Sequence, residues 1–256
     1  MSIVFNVLSS AWHAVLFLII VLLPCVLFIT LLQCSTDYLR KRIVSVMSIN
    51  FFIYSTAPGV VIHECGHLVF CLLFLHDVRH VSFFSPSEDG TLGYVSYQYN
   101  PQNIYQRIGL FFTGTGPIWF GLLVLFFLSK LLLPGTVFEP GLSDWGMVRE
   151  LFNCIFSISF WCSFKHWIWF YLSLSIALHI NLSAPDIASA WQGLITIILT
   201  VFILFILLGW IAPFRQFVSE MVFNYVRWMS PVFFIIIMVS AISFLIGTIC
   251  SFLGDA

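Results

Sequence analysis

The run from Trp12 to Leu32 contains no Asp, Glu, Lys or Arg. That uninterrupted apolar length constrains the fold more than any other feature of the chain. About 20 residues of helix cross the hydrocarbon core of a bilayer, and inside that core every backbone polar group must be satisfied internally. The apolar stretches are continuous and do not alternate with polar residues, which selects helices over a β-barrel. Of the 256 residues, 61% are hydrophobic and 8% are charged, whereas a soluble domain carries about 25% charged residues. Water is therefore not the main solvent of this surface. No basic leader precedes the first run and further spans follow, so it reads as a retained helix and not as a cleaved signal peptide.

The sequence predicts an all-α polytopic membrane protein of six to seven transmembrane helices, with a short β-hairpin after the helix that carries a histidine pair. Span one covers Trp12 to Leu32. A polar connection ends in Arg40-Lys41-Arg42, the only basic triplet. Span two covers Ile43 to Thr56. Pro58-Gly59 interrupts the pattern, and a new helix continues to about Leu75. Residues 77–103 hold two β-like runs around Asp89-Gly90, a hairpin signal. Span three is expected over Ile108 to Leu133, with Gly114-Thr115-Gly116-Pro117 inside it. A Pro/Gly-rich loop over 134–145 and an aromatic, interfacial segment over 146–165 follow. Span four runs from His166 to His179. An interruption at Asn181 to Asp186 leads to a short helix, Ile187 to Gly193, then to spans five (Leu194 to Ile211) and six (Val226 to Leu253). With no repeat and no linker, residues 1–256 read as one membrane domain. The basic triplet puts residues 40–42 in the cytoplasm and the N-terminus outside. The net charge is -1, and no basic patch with interleaved aromatics suggests nucleic acid. Cys25, Cys34, Cys65, Cys71, Cys154, Cys162 and Cys250 are odd in number and lack Cys-x-x-Cys spacing. They read as reduced packing residues and not as a thiolate zinc site.

The chemistry concentrates in His63-Glu64-Cys65-Gly66-His67. Histidines four apart share one helical face, one turn apart, and can both reach one zinc ion at about 2.0–2.1 Å. Glu64 can act as general base on a zinc-activated water and pass the proton to a leaving amine. Gly66 admits close approach of substrate or of another helix. A charged side chain at mid-bilayer costs about 2.5–3.5 kcal/mol on insertion scales, so three polar groups together imply a compensating cation. A catalytic zinc needs a third protein ligand. Asp186 is the leading candidate, beside Pro185 and Asn181 where the chain is interrupted. It also suits the role of a helix cap. His179 is the alternative, either as ligand or as a partner that orients one. Asn181 is a candidate to hydrogen-bond substrate. His76 and His80 flank the hairpin and read as solvated.

These residues resemble the site-2 protease family of intramembrane zinc proteases. Three elements occur in the family's order over residues 55–193: the His-Glu-x-x-His helix, a hairpin followed by a helix with the pair Gly116-Pro117, and a later helix with Asn181, Pro185 and Asp186. Residues 1–54 and 194–256 are flanking helices without diagnostic motifs. In the family pattern Asn-x-x-Pro precedes Leu-Asp-Gly. Here the run is Asn-Leu-Ser-Ala-Pro-Asp-Ile, so the aspartate follows the proline directly and no glycine follows it. The resemblance implies zinc held by His63, His67 and Asp186, Glu64 as base, and cleavage of membrane-protein substrates at or within the bilayer of a bacterial inner membrane. It also implies that the hairpin, near Val81 to Tyr99, offers an edge strand to an unwound substrate.

Two other classes compete with the peptidase reading. One is a catalytically inactive subunit that keeps the scaffold to bind partner helices in a membrane complex. The other is a divalent-metal transporter, which usually needs several polar clusters along its path. The described motif supplies one.

Overall fold

A computed structural model describes residues 2–46, 48–88, 90–139 and 143–254. The chain is 79% helical with one small sheet. α1 spans Ser2–Val46, 45 residues. At about 1.5 Å per residue it is roughly twice as long as the hydrocarbon core is thick. The expected connection after Leu32 is helical instead. No glycine or proline interrupts residues 33–46, and the Ser35 and Thr36 hydroxyls turn back onto the Leu32 carbonyl, each at 2.8 Å. The expected second span is therefore divided: its start belongs to α1, and Ile49–Ser55 forms the short α2, capped by the Ser48 side chain on the Phe51 N–H.

α3, Ala57–Leu73, begins where Pro58 was expected to break the pattern, with the proline in its first turn, where a missing N–H costs nothing. α2 and α3 are bent by 59°. Leu75 takes a left-handed φ of 58° and the His76 N–H returns to the Cys71 carbonyl at 2.8 Å, which ends the helix and starts the hairpin.

β1 (Asp77–Ser82) and β2 (Tyr94–Gln98) pair antiparallel, from Asp77↔Gln98 to Ser82↔Tyr94, with an irregularity between Val78 and His80. The connection is longer than a two-residue turn. Ser85 N–H to Leu92 O (2.6 Å) and Ser87 N–H to Thr91 O (2.9 Å) extend it. Gly90 sits at its tip with φ 86°; Asp89, the other half of the expected turn, lies outside the described residues.

The expected third span is two helices, α4 (Ile104–Gly114) and α5 (Gly116–Leu132), bent by 59° at Thr115. Pro117 occupies the first turn of α5, so the Gly-Thr-Gly-Pro sequence starts a new helix and does not lie within one. A 3-10 turn at Gly135–Phe138 leads to α6 (Asp144–Ile155) and α7 (Ile158–Trp161), both short. α8 spans Phe164–His179, α9 Ala184–Leu208 and α10 Ala212–Gly254. The separate helix over 187–193 and the fifth span are thus one helix. Ser183 accepts from the Asp186 N–H while Asp186 accepts from Ser183, a capping box that sets the helix start ahead of Asp186.

Among the described residues, two helices are long and apolar enough to cross a membrane, α1 and α9, or four if each bent pair is one span. α1 packs on α10, α9 on α4, and α3 lies between α5 and α8. Leu32, Ile118, Ile176 and Ile180 form a buried cluster where α1, α5 and α8 meet.

Candidate metal centre

α3 is held at two points. At its start, the Gly59 N–H donates to the Ser175 hydroxyl at 2.8 Å, and that hydroxyl donates to the Thr56 carbonyl at 3.0 Å. Midway, Gly66 meets α5 backbone to backbone: a Cβ on Gly66 would lie 2.8 Å from the Gly116 carbonyl. The close approach foreseen for Gly66 is thus made by a helix.

This seating aims both imidazoles. His63 Nδ1 donates to the main-chain carbonyl of His179 at 2.6 Å, and His67 Nδ1 donates to that of Thr113 at 2.8 Å. A carbonyl only accepts, so each Nδ1 carries the proton and each Nε2 presents a lone pair. The two Nε2 atoms face each other at 3.1 Å. Asp186, from the first turn of α9, places Oδ1 3.2 Å from His67 Nε2 and Oδ2 3.7 Å from His63 Nε2. One ligand atom from each of the three residues lies within 4.8 Å of the others.

Two lone pairs and a carboxylate converging in a largely buried site repel one another unless a proton or a metal cation lies between them. The donor set suits zinc. Ligands at about 2.0–2.1 Å in tetrahedral array stand roughly 3.3–3.4 Å apart. The two Nε2 atoms at 3.1 Å and Asp186 Oδ1 at 3.2 Å from His67 Nε2 lie close to that value, while the contact of Asp186 with His63 runs through the other oxygen, Oδ2, at 3.7 Å. The carbonyls behind the imidazoles are the customary outer partners of metal-binding histidines. Asp186 keeps its capping role as well: Oδ2 accepts from the Ser183 N–H (2.8 Å) and hydroxyl (2.6 Å), leaving Oδ1 towards His67.

Glu64 is buried, 6% exposed, and with His63, His67 and Asp186 lines a cavity of about 610 Å³. The far wall comes from Gly90 to Val95 of the hairpin, with Tyr97. The Tyr97 hydroxyl bonds that of Ser189 at 2.7 Å, tying the hairpin to α9.

Five residues have positions or partners that the sequence did not indicate. The His179 ring bonds the Ser175 carbonyl through Nδ1 at 3.0 Å and is not among the three converging groups; its main chain does the orienting. The Asn181 amide donates to Asp37 at 2.9 Å and accepts from Thr36, so α1 engages it, and the residue also lines the cavity. Gly116 and Pro117 lie behind α3 and are absent from the cavity wall, which Gly114 joins instead. His76 is not solvated. It is 5% exposed, bonds the Gln106 carbonyl through Nε2 at 2.8 Å and stacks on Tyr97 with ring centres 5.1 Å apart. Burial lowers its pKa below the ordinary histidine value. His80 is exposed, as expected.

Sequence reasoning did not single out Thr113 or Gly93, and read Arg40 only as part of the basic triplet. Thr113 acts through its carbonyl, which no side-chain pattern reveals. Gly93 stands just before a strand-like run, a weak signal of close backbone approach. Neither a family model, nor a curated protein, nor a solved structure matches the chain.

Proposed function

We propose that this chain is an intramembrane zinc metallopeptidase that hydrolyses peptide bonds of membrane-embedded substrates. The observation that carries the reading is the convergence of two Nδ1-anchored imidazoles and one carboxylate, whose ligand atoms lie within 4.8 Å of one another, on a cavity that also holds Glu64. His63, His67 and Asp186 would hold the ion, which supplies Lewis acidity and lowers the pKa of a water. Glu64 takes a proton from the attacking water and delivers it to the amine that leaves. The peptide bond becomes a carboxyl and an amine, and Glu64 is regenerated. Burial of Glu64 strengthens its charge interactions with the neighbouring groups. The β2 side of the hairpin borders the cavity, which suits it to receive an extended stretch of an unwound substrate helix.

We assign six spans when each bent pair counts once: α1, α2 with α3, α4 with α5, α8, α9 and α10. Counting α2 separately gives seven. The Arg40-Lys41-Arg42 triplet places that end of α1 in the cytoplasm and the N-terminus outside, in a bacterial inner membrane.

A second reading, an inactive subunit that binds partner helices, gains support from one observation. Oδ2 of Asp186 already serves Ser183, so the aspartate has structural work without a metal. The Glu64→Gln variant separates the two. On the peptidase reading it retains zinc and loses cleavage of reconstituted membrane substrates by about 10²–10⁴-fold, the usual worth of a general base. Equal cleavage by wild type and variant would falsify the role of Glu64. Absence of cleavage by zinc-loaded wild type across a membrane proteome would favour the subunit.

A further inference from the structure

Arg40 belongs to the wall of the same cavity as His63, Glu64 and Asp186, and among the described residues of that wall it is the only lysine or arginine. It comes from α1, outside the segment that carries the histidine and aspartate motifs. Its position is built. Thr36 donates to Oδ1 of Asn181, Asn181 Nδ2 donates to Asp37 Oδ1 at 2.9 Å, and the same oxygen accepts from Arg40 Nη2 at 3.0 Å. This relay ties the guanidinium to the loop that leads into Asp186. A guanidinium has five donors. Asp37 takes one, and the side chain is 48% exposed, so the others are open to a ligand. An arginine that served only to anchor α1 among headgroups would need no tether to Asn181. Its neighbour Arg42, which lies over the Tyr38 ring at 5.4 Å, suits that simpler role.

Resting on the peptidase reading above, we propose that Arg40 determines specificity by binding a carboxylate of the substrate close to the bond that is cut. The fork of a guanidinium matches a carboxylate bidentately, and the partly closed cavity strengthens the pair. The carboxylate has two possible sources: an Asp or Glu side chain near the scissile bond, or the C-terminal carboxylate of the substrate. Contact at a distance from the reacting carbonyl acts alike on bound substrate and transition state, so the preference appears in KM more than in kcat.

The test uses the zinc-loaded full chain in detergent. The probes are quenched peptides built on one neutral transmembrane sequence, with a single aspartate or asparagine walked along it and with a free or amidated C-terminus. We expect kcat/KM for one acidic register, or for the free acid, to exceed that of its neutral counterpart about tenfold, mostly through KM. In Arg40→Gln the ratio falls towards one; in Arg40→Lys part of it survives. Zinc content and melting temperature verify that the variants are folded, and the wild-type ratio needs no variant. Equal cleavage of acidic and neutral peptides at all registers and both termini would overturn the proposal, as would a preference that persists in Arg40→Gln. Cleavage without charge preference sinks the role of Arg40 alone. No cleavage of any peptide sinks the peptidase reading, and the role of Arg40 with it.

Discussion

A β-carbon on Gly93 would stand 2.8 Å from Cγ of Glu64, so the main chain of the hairpin lies against the acidic side chain beside the histidines. The other near atoms are the carbonyls of Phe83 and Ser82, both at 2.9 Å. They are backbone and cannot swing away. A side chain at position 93 must therefore displace either the hairpin or Glu64.

Gly93→Val is expected to leave zinc content intact, because the atoms nearest a β-carbon there belong to Glu64 and to the hairpin main chain and not to the three converging groups. It is expected to reduce cleavage by about 100-fold, the effect of a misplacement of roughly 1 Å at a catalytic group. Cleavage at the wild-type rate, measured with zinc content on the same sample, would mean that the hairpin does not position Glu64.

Asp186 and His179 differ in what they contribute. Asp186 offers a free Oδ1 to the cluster, while His179 offers a main-chain carbonyl to His63. Asp186→Ala is expected to weaken zinc binding by at least about 100-fold, more than loss of an outer partner. It also costs about 1 kcal/mol of stability through the lost capping box. His179→Gln keeps its carbonyl and should bind zinc within about threefold of wild type. Competition titration with a zinc chelator measures both, and the reverse ranking would reassign the third ligand.

His76 gives the hairpin a pH dependence. Its imidazole is buried between Gln106 and Tyr97, and burial holds its pKa below the ordinary value, which is about 6.5. A histidine of lowered pKa binds more protons when exposed than when docked. The docking free energy is therefore fully present above about pH 6.5 and is lost as pH falls through the lowered, docked-state value. Hydrogen exchange of the β1 and β2 amides should accelerate between about pH 7 and pH 5 beyond its intrinsic pH dependence. In His76→Phe that excess should vanish. An unchanged excess in the variant would assign the effect to another group.

The helical membrane class and the grouping of His63 with His67 were legible in the sequence because each depends on a short period: continuous apolar length in one case and four-residue spacing in the other. The start of α3 at Pro58 and the pairing of β1 with β2 followed from local chemistry too. Helix limits that depend on tertiary contacts were less legible. Residues 33–42 look polar enough for a connection, but Thr36 and Asp37 face Asn181 and are satisfied within a continuous α1. The capping role open to Asp186 was legible, but the helix that it caps runs from Ala184 to Leu208 and not from Ile187 to Gly193.

The carbonyl contacts were not legible at all. Which main-chain oxygen meets His63 or His67 depends on how α8 and α4 cross α3, and those crossings are set by close glycine contacts spread over the chain. A Cβ on Gly114 would lie 2.5 Å from the carbonyl of Asp186, a relationship between residues far apart in sequence. His76 was misplaced for the same reason. It stands at the junction of a helix and a charged strand start, Asp77 to His80, while its burial comes from Gln106 and Tyr97.

The central claim is that the two imidazoles and the carboxylate hold zinc. X-ray absorption at the zinc edge of the purified full chain, with metal content measured on the same sample, tests it most directly. The account predicts one zinc per chain with a nitrogen and oxygen shell at about 2.0–2.1 Å and no sulfur near 2.3 Å, lost in a His63→Ala, His67→Ala double variant. A protein that folds and binds no zinc, or a zinc whose shell contains cysteine sulfur, would contradict it.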